Sequence, residues 1–168
     1  MGIVWRILII VLLAVAATLP RPAAGTTMQR AGLVVRLGLD EVVTRCVAFG
    51  EERISGATLL ARSGLAVATS TDPSYGAFVC GIAGVGCPAD NCLCAYPPSY
   101  WHYWLRQPDG WRSSPVGAST RTLSDGDVDG WVWPTGDVDG SVPPPALTFE
   151  QICPTERPWR LWLPLLVR

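Results

Sequence analysis

Lysine is absent from the 168 residues, and histidine occurs once, as His102. The motifs G-x-S-x-G, H-E-x-x-H and the phosphate loop are also missing. Few side chains are therefore left for acid–base chemistry, because the carboxylates lie mostly in turn-like stretches. A cysteine nucleophile would need a free thiolate, whereas an even set of cysteines favours pairing. We predict that the protein is not an enzyme and carries no cofactor.

A basic patch is also lacking. All 13 basic residues are arginine, which we interpret as compositional bias rather than a functional signal. Setting residues 1–25 aside removes Arg6 and Arg21 and leaves 11 basic and 14 acidic residues, a net charge of about −3. Nucleic-acid-binding surfaces are strongly basic. The composition therefore predicts no nucleic-acid partner.

No apolar run is long enough to span a bilayer, which takes about 20 residues. The run "ILIIVLLAVAATL" has 13 residues and follows the basic start "MGIVWR". With the small residues Ala23 and Gly25 after it, this is the pattern of a secretory signal peptide over 1–25. The apolar tail 158–168 has only 11 residues. We predict an exported protein, extracellular or at the cell surface, with no transmembrane span in the mature chain.

Cysteine, by contrast, is well represented. All six cysteines lie after residue 25, and an even number in an oxidising compartment favours disulfides. A zinc site would need a second C-x₂₋₄-C pair, and "CPADNCLC" has no such companion. Cys92 and Cys94 cannot easily bond to each other in an extended chain. Our expected pairs are Cys46–Cys153, Cys80–Cys94 and Cys87–Cys92, and we predict no metal site.

The hydrophobic pattern predicts a small α+β domain. Two valine-rich runs predict an antiparallel hairpin. Ser55 is a good N-cap and Gly64 a good stop for a two-turn helix, with Ile54 and Leu59 as a hydrophobic staple. The predicted strands are 31–39, 42–50, 65–70 and 76–87.

The clearest predicted hairpin is 100–114, with Pro108-Asp109-Gly110 as its turn. Alternation sends one set of side chains into the core and another to the outer face. The predicted core set is Trp101, Tyr103 and Leu105. The predicted outer set, partly exposed, is Tyr100, His102, Trp104, Arg106 and, after the turn, Trp111.

The stretch "SDGDVDGWVW" raises the question of a calcium loop, because Asp125, Asp127, Asp129 and Gly130 have EF-hand spacing. Position 12 of such a loop must be a bidentate glutamate, and here it is Gly136. Pro134 also forbids a following helix. We interpret the stretch as an acidic turn feeding a strand, with a loose calcium site as the alternative.

Several motifs in this order resemble the transcobalamin C-terminal-like domain over residues 31–134. They are the helix "SGATLLARSG", the strand "FVCGIAGVGC", the hairpin "YWHYWLRQPDGW" and the final "GASTRTLSDGDVDGWVW". The family-like positions are Ile82, Gly84, Tyr100 to Trp104, Gly117, Ala118, Gly126, Asp127, Trp131 and Trp133.

The resemblance implies a β-grasp fold: a small mixed sheet with one short helix. It also implies that Gly126-Asp127 is a structural turn into the last strand. In transcobalamin-type carriers this domain closes over the corrinoid, while a helical domain supplies the larger surface. The implied ligand is therefore cobalamin or another flat, amphipathic molecule.

Two functions follow. The first is an exported ligand-binding module that uses Tyr100, His102, Trp104, Arg106 and Trp111. The second is a structural or protein-interaction domain of the cell envelope, for which the Gly/Pro-rich segment 135–157, anchored at Cys153, and the tail 158–168 are suited. Exposed tryptophans need a cover. A ligand, a partner or the tail through Trp159 and Trp162 could supply it.

Overall fold

The computed structural model describes residues 28–72, 76–135 and 141–155 of the chain. Within these ranges the fold is α+β, as predicted, with strands predominating and two short helices. The strands are β1 (Gln29–Arg36), β2 (Val42–Phe49), β3 (Ile54–Ser55), β4 (Val67–Asp72), β5 (Gly76–Ile82), β6 (Val85–Gly86), β7 (His102–Gln107), β8 (Gly110–Ser113), β9 (Thr122–Leu123) and β10 (Val128–Val132). The helices are α1 (Gly56–Arg62) and α2 (Phe149–Ile152).

The main sheet has five strands in the order β2-β1-β10-β7-β8. The two predicted hairpins, β1–β2 and β7–β8, form its two halves. The last strand, β10, lies between them, parallel to β1 and antiparallel to β7. This arrangement, with a helix after the first hairpin, is that of a small β-grasp sheet. The central strands β1 and β10 are buried on both faces, from Ala31 to Val35 and from Val128 to Val132, and β10 carries the buried Asp129 among its apolar residues.

Helix α1 begins where the sequence predicts. The Ser55 side chain accepts a hydrogen bond from the backbone N–H of Thr58 at 3.1 Å, which makes it the N-cap. After the helix, Gly64 has a φ of +75°, the left-handed conformation in which glycine is favoured. Leu59 and Leu60 are fully buried, so this short helix is held by packing rather than by its own length.

The main core lies between the inner face of the sheet and α1, with the hairpin β4–β5 beside it. Its largest members include Leu33, Phe49, Leu59, Ile82 and Trp131. The predicted core residue Trp101 is buried here, and Tyr103 packs against the cluster. Leu105 is half-buried.

A second, smaller cluster lies on the outer face. It is closed by the C-terminal segment 141–155, which we call the strap. Val34 and Val128 from the sheet meet Ile152 and Cys153 from the strap, with Trp111, Leu147 and Phe149 packed around them. A capping box at the start of α2 shapes the strap: Thr148 and Gln151 bond each other's backbone.

No helix within the described ranges is long and apolar enough to cross a membrane. The predicted signal peptide 1–25 and the tail 158–168 lie outside the described residues.

Candidate functional site

Three disulfides join all six cysteines. Cys46 pairs with Cys153, as expected. The two local pairs are Cys80–Cys92 and Cys87–Cys94, so the predicted Cys87–Cys92 and Cys80–Cys94 are wrong. In the predicted pairing one local disulfide is nested inside the other, whereas the two observed local disulfides interleave.

The reason for the interleaved pairing is the tight path of the chain after β6. A 3-10 turn at Ala89–Asn91 and the turns that follow it fold the loop back on β5. Cys92 then reaches Cys80 with a Cα–Cα distance of 4.6 Å, and Cys94 falls 5.7 Å from Cys87. Sequence spacing alone does not encode this local curvature.

The loop stapled by these two disulfides exposes large apolar side chains. Three of them are Leu93 (51% exposed), Tyr96 (56%) and Tyr100 (39%), and Phe78 lies on the adjoining strand β5. We call these four residues the cysteine-loop surface. Each exposed large aromatic side chain of the described residues belongs to it. Contiguous exposed apolar patches are typical of binding surfaces.

Ring contacts order one side of the cysteine-loop surface. The Tyr96 and Tyr100 rings meet edge to face, with centroids 6.1 Å apart and planes at 74°. The His102 ring lies 4.0 Å from that of Tyr100. Between residues 76 and 101 the sequence has one charged side chain, Asp90. The surface is thus aromatic, stapled and nearly uncharged.

The predicted ligand face, the outer side of the β7–β8 hairpin, has a different environment. Alternation holds, but Trp104 is only 8% exposed, and Trp111 is half-buried in the strap cluster. The prediction that these two tryptophans are partly open is wrong for Trp104. His102 and Arg106 are half-buried and only Tyr100 is exposed. The five predicted residues therefore do not form one open surface.

The strap covers the outer face of the sheet, which the alternation of side chains along β7 could not predict. The indole N–H of Trp111 donates to the Pro145 carbonyl at 3.1 Å. Pro144 lies over Gly130: a Cβ built there would be 2.6 Å from the Pro144 ring. The expected cover through Trp159 and Trp162 falls outside the described residues.

The acidic turn serves the fold. Asp125 accepts the backbone N–H of Arg30 at 2.7 Å, and Asp127 accepts that of Ser124 at 2.9 Å. Asp129 is fully buried and accepts the Tyr103 hydroxyl. Each of the three carboxylates thus accepts a hydrogen bond from a different residue, and Arg121 forms ion pairs with Asp127 and Asp129. Among the described residues, no cluster of three His, Cys, Asp or Glu side chains could hold a metal ion.

The pKa of Asp129 is also shifted. Burial raises the pKa of its carboxyl to about 6, against the lowering effect of the bonds from Tyr103 and Arg121. Arg121 lies 3.4 Å from Asp129 and 3.3 Å from Asp127. Burial and the neighbouring Asp129 raise the pKa of Tyr103. Because the Asp129 side chain has no solvent access, this network is a structural feature of the inner face.

Three comparisons place these features beside known proteins. A family model for the SCO2322-like domain matches residues 94–160, which include the Tyr96–Tyr100 loop, the β7–β8 hairpin and the strap. No curated protein matches.

Among solved structures, the chain is similar to haptocorrin in complex with Cbi, with 13% identity and a TM-score of 0.46 over 71% of this chain. It spans 27% of the haptocorrin chain. It is also similar to a candidate metal-binding protein from Ruminococcus gnavus, with 16% identity and a TM-score of 0.45, over 64% of this chain and 98% of that one. Both are distant relationships of fold.

Sequence reasoning missed Phe78, Leu93 and Tyr96 as surface residues. A signal was present in "CLCAYPPSY", where Tyr96 and Tyr100 flank two prolines immediately after a half-cystine. Prolines and half-cystines limit how a loop can collapse, so aromatic side chains between them are poorly placed to reach the core.

Proposed function

We propose that this protein is an exported, non-catalytic binding module whose contact region is the cysteine-loop surface. The observation that carries the proposal is the set of exposed apolar side chains on a loop held by two disulfides, Leu93, Tyr96 and Tyr100, with Phe78 on the strand to which the loop is joined. A preorganised loop loses little conformational freedom on binding, so its apolar contacts contribute more of their free energy to affinity.

The chemistry of the surface limits its ligand. Tyrosine combines a flat apolar ring with a hydroxyl, which suits amphipathic molecules. With Asp90 as the one charged side chain between residues 76 and 101, the loop offers little to attract a strongly charged ligand. The family resemblance makes cobalamin the first small molecule to test. Catalysis is no part of the proposal, because the carboxyl with the raised pKa, Asp129, is buried away from solvent.

The test is equilibrium binding of cobalamin at micromolar concentrations, measured by the visible spectrum after gel filtration. We expect co-elution with the wild-type protein and at least about a tenfold loss of affinity in a Tyr96→Ala/Tyr100→Ala variant, since hot-spot aromatics each contribute 2 kcal/mol or more. Clean separation of cobalamin from the wild-type protein would reject it as the ligand. Binding unaffected by the double substitution would reject the surface.

A second candidate is a protein-interaction domain of the cell envelope. Leu93 and Phe78 favour it, because neither side chain can form a hydrogen bond with a small polar ligand. A photo-crosslinking residue at position 93 should then give a discrete adduct in the producing cell. Position 28 is the matched control, because Met28 is 60% exposed and lies just before the start of β1, whereas His102 lies in register with the end of that strand through Val132. Equal labelling at both positions would contradict this candidate.

A further inference from the structure

The loop that carries the cysteine-loop surface has little noncovalent attachment to the fold. No residue from 88 to 100 is buried, so this stretch contributes no side chain to the core. Its backbone hydrogen bonds all close turns within the stretch, from Asn91 to Pro88, from Cys94 to Asn91, from Tyr96 to Leu93 and from Ser99 to Ala95. None of the backbone hydrogen bonds described for it reaches a strand. The two local disulfides therefore fix where the loop lies on the sheet.

The two disulfides attach different parts of this stretch. Cys80, which is fully buried in β5, holds Cys92. Cys87 is also buried, but its partner Cys94 is exposed. Between Cys92 and the buried Trp101, the bond of Cys94 is the one covalent attachment to the fold. That interval contains three of the four residues of the cysteine-loop surface, Leu93, Tyr96 and Tyr100.

The third disulfide, by contrast, is supported by packing. Cys46 is exposed, but Cys153 is 1% exposed within the outer-face cluster, where Ile152 packs beside it. Breaking this bond would leave the strap on the sheet and the two sulfurs side by side. The stretch 88–100 has no buried side chain that would hold Cys94 in the same way. Exposed disulfides are the labile and regulatory ones, so Cys87–Cys94 is the disulfide best placed to be reduced in the folded protein.

We infer that the Cys87–Cys94 disulfide is a redox switch for the cysteine-loop surface, opened by the dithiol of a thiol–disulfide oxidoreductase. This regulation rests on the proposed binding function. One thiolate of the reductant attacks Sγ of Cys94, and the bond to Cys87 breaks. The electron pair leaves on the Cys87 sulfur, which takes a proton from water. The second thiolate of the reductant then attacks the reductant's own sulfur in the mixed disulfide and releases Cys94 as a thiol. Two electrons and two protons thus pass to the protein, and the reductant leaves as a disulfide.

Reduction should open the surface without unfolding the domain. The interval from Cys92 to Trp101 loses its covalent attachment, so the Tyr96 ring no longer keeps its edge-to-face position 6.1 Å from Tyr100. Phe78 stays in place because β5 remains paired with β4. A surface whose parts no longer have fixed positions must be ordered again on binding, which lowers affinity.

The experiment treats the full-length protein with graded concentrations of dithiothreitol, a model dithiol, and alkylates the thiols that form with N-ethylmaleimide. Peptide mass mapping then identifies the alkylated cysteines. We expect Cys87 and Cys94 to be alkylated at least about tenfold faster than the other four cysteines. In the protein reduced at this bond alone, the amides of Cys94 and Tyr96 should exchange hydrogen at least about tenfold faster, whereas those of β5 should not change. Cobalamin should bind the reduced form at least about tenfold more weakly, and reoxidation should restore binding.

A matched pair of variants separates the switch from general loosening. Cys87→Ser/Cys94→Ser reproduces the open state without a reductant and should show the same faster exchange at Tyr96. Cys46→Ser/Cys153→Ser removes a disulfide at the strap and should leave exchange at Tyr96 unchanged. If that second chain does not fold, the β5 amides of the first variant serve as the control.

The other outcomes count against the switch. Alkylation of all six cysteines at one rate, or of Cys46 and Cys153 first, would overturn it. Unchanged exchange at Tyr96 after reduction of Cys87–Cys94 would also overturn it, as would undiminished binding of cobalamin to that form. If the oxidised protein does not bind cobalamin at all, the proposed ligand is rejected. The alkylation and exchange measurements, which need no ligand, then decide the switch.

Discussion

Two groups of aromatic side chains lie within a few residues of each other in sequence and end in opposite environments. Trp104 is buried opposite Gly130 and Trp111 packs against the strap, whereas Tyr96 and Tyr100 are exposed on the stapled loop. The first pair is thus part of the stability of the domain, and the second contributes little to it. Aromatic content alone does not distinguish a core from a binding surface. The difference between the two pairs depends on whether another segment of the chain covers the rings.

The largest loss of stability should come from removing the disulfide that attaches the strap to β2. Cys46 and Cys153 are 107 residues apart, so losing their disulfide costs about 4–5 kcal/mol in the chain-entropy model. Losing Cys87–Cys94, with a separation of 7, should cost about half as much. Chemical denaturation of the two Ser/Ser variants measures this difference. Equal losses would mean that the strap adds no constraint to the fold.

Next, the two aromatic groups should respond differently to truncation. Trp104→Ala should lower the free energy of unfolding by about 3–5 kcal/mol, because truncating this buried side chain leaves a large cavity. Tyr96→Ala should change it by no more than about 0.5 kcal/mol, as an exposed side chain does. Denaturant melts of the two single variants provide the comparison. A large loss in Tyr96→Ala would place that ring in the packed structure.

A smaller effect concerns Tyr103, which is hydrogen-bonded to Asp129 on the inner face. Its acceptor Asp129 has a folded-state pKa near 6, above the unfolded value of 3.8. The Asp129 carboxyl is therefore protonated at a higher pH in the folded state than in the unfolded state. The free-energy cost of burying its charge disappears as pH falls through 6. Between pH 7 and pH 5 the free energy of unfolding should rise by about 1 kcal/mol from this group. Asp129→Asn should lack that rise, which melts at both pH values would show.

The smallest effect is expected at the acidic turn. Millimolar calcium or EDTA should move Tm by no more than about one degree, because a true site stabilises the folded state by mass action. The carboxylates of Asp125 and Asp127 already accept backbone N–H groups. A shift of several degrees in a thermal melt would show that this turn binds metal after all.

Much of the fold could be predicted because it is locally encoded. The Ser55 cap, the two hairpins and the alternation along β7 follow from short-range sequence patterns. The outer face is covered because residues 144–153 return to β1 and β10. The alternation of side chains along a strand predicts which residues share a face, but not which segment packs on that face. The sequence did contain one pointer: Gly32 and Gly130 lie within the runs that form the two central strands. The interleaved disulfides depend on turn curvature and have no comparable pointer.

The pairing of Cys46 with Cys153 also bears on how the protein is made. Synthesis proceeds from the N terminus, so Cys46 emerges before the other five cysteines, and its partner emerges last. Strand β1 is likewise synthesised long before its parallel partner β10, since Gly32 pairs with Val128. Four other cysteines are thus synthesised between Cys46 and Cys153, and each could form a non-native disulfide with Cys46. Early oxidation of the nascent chain would trap scrambled forms, and oxidation after release would favour the native one.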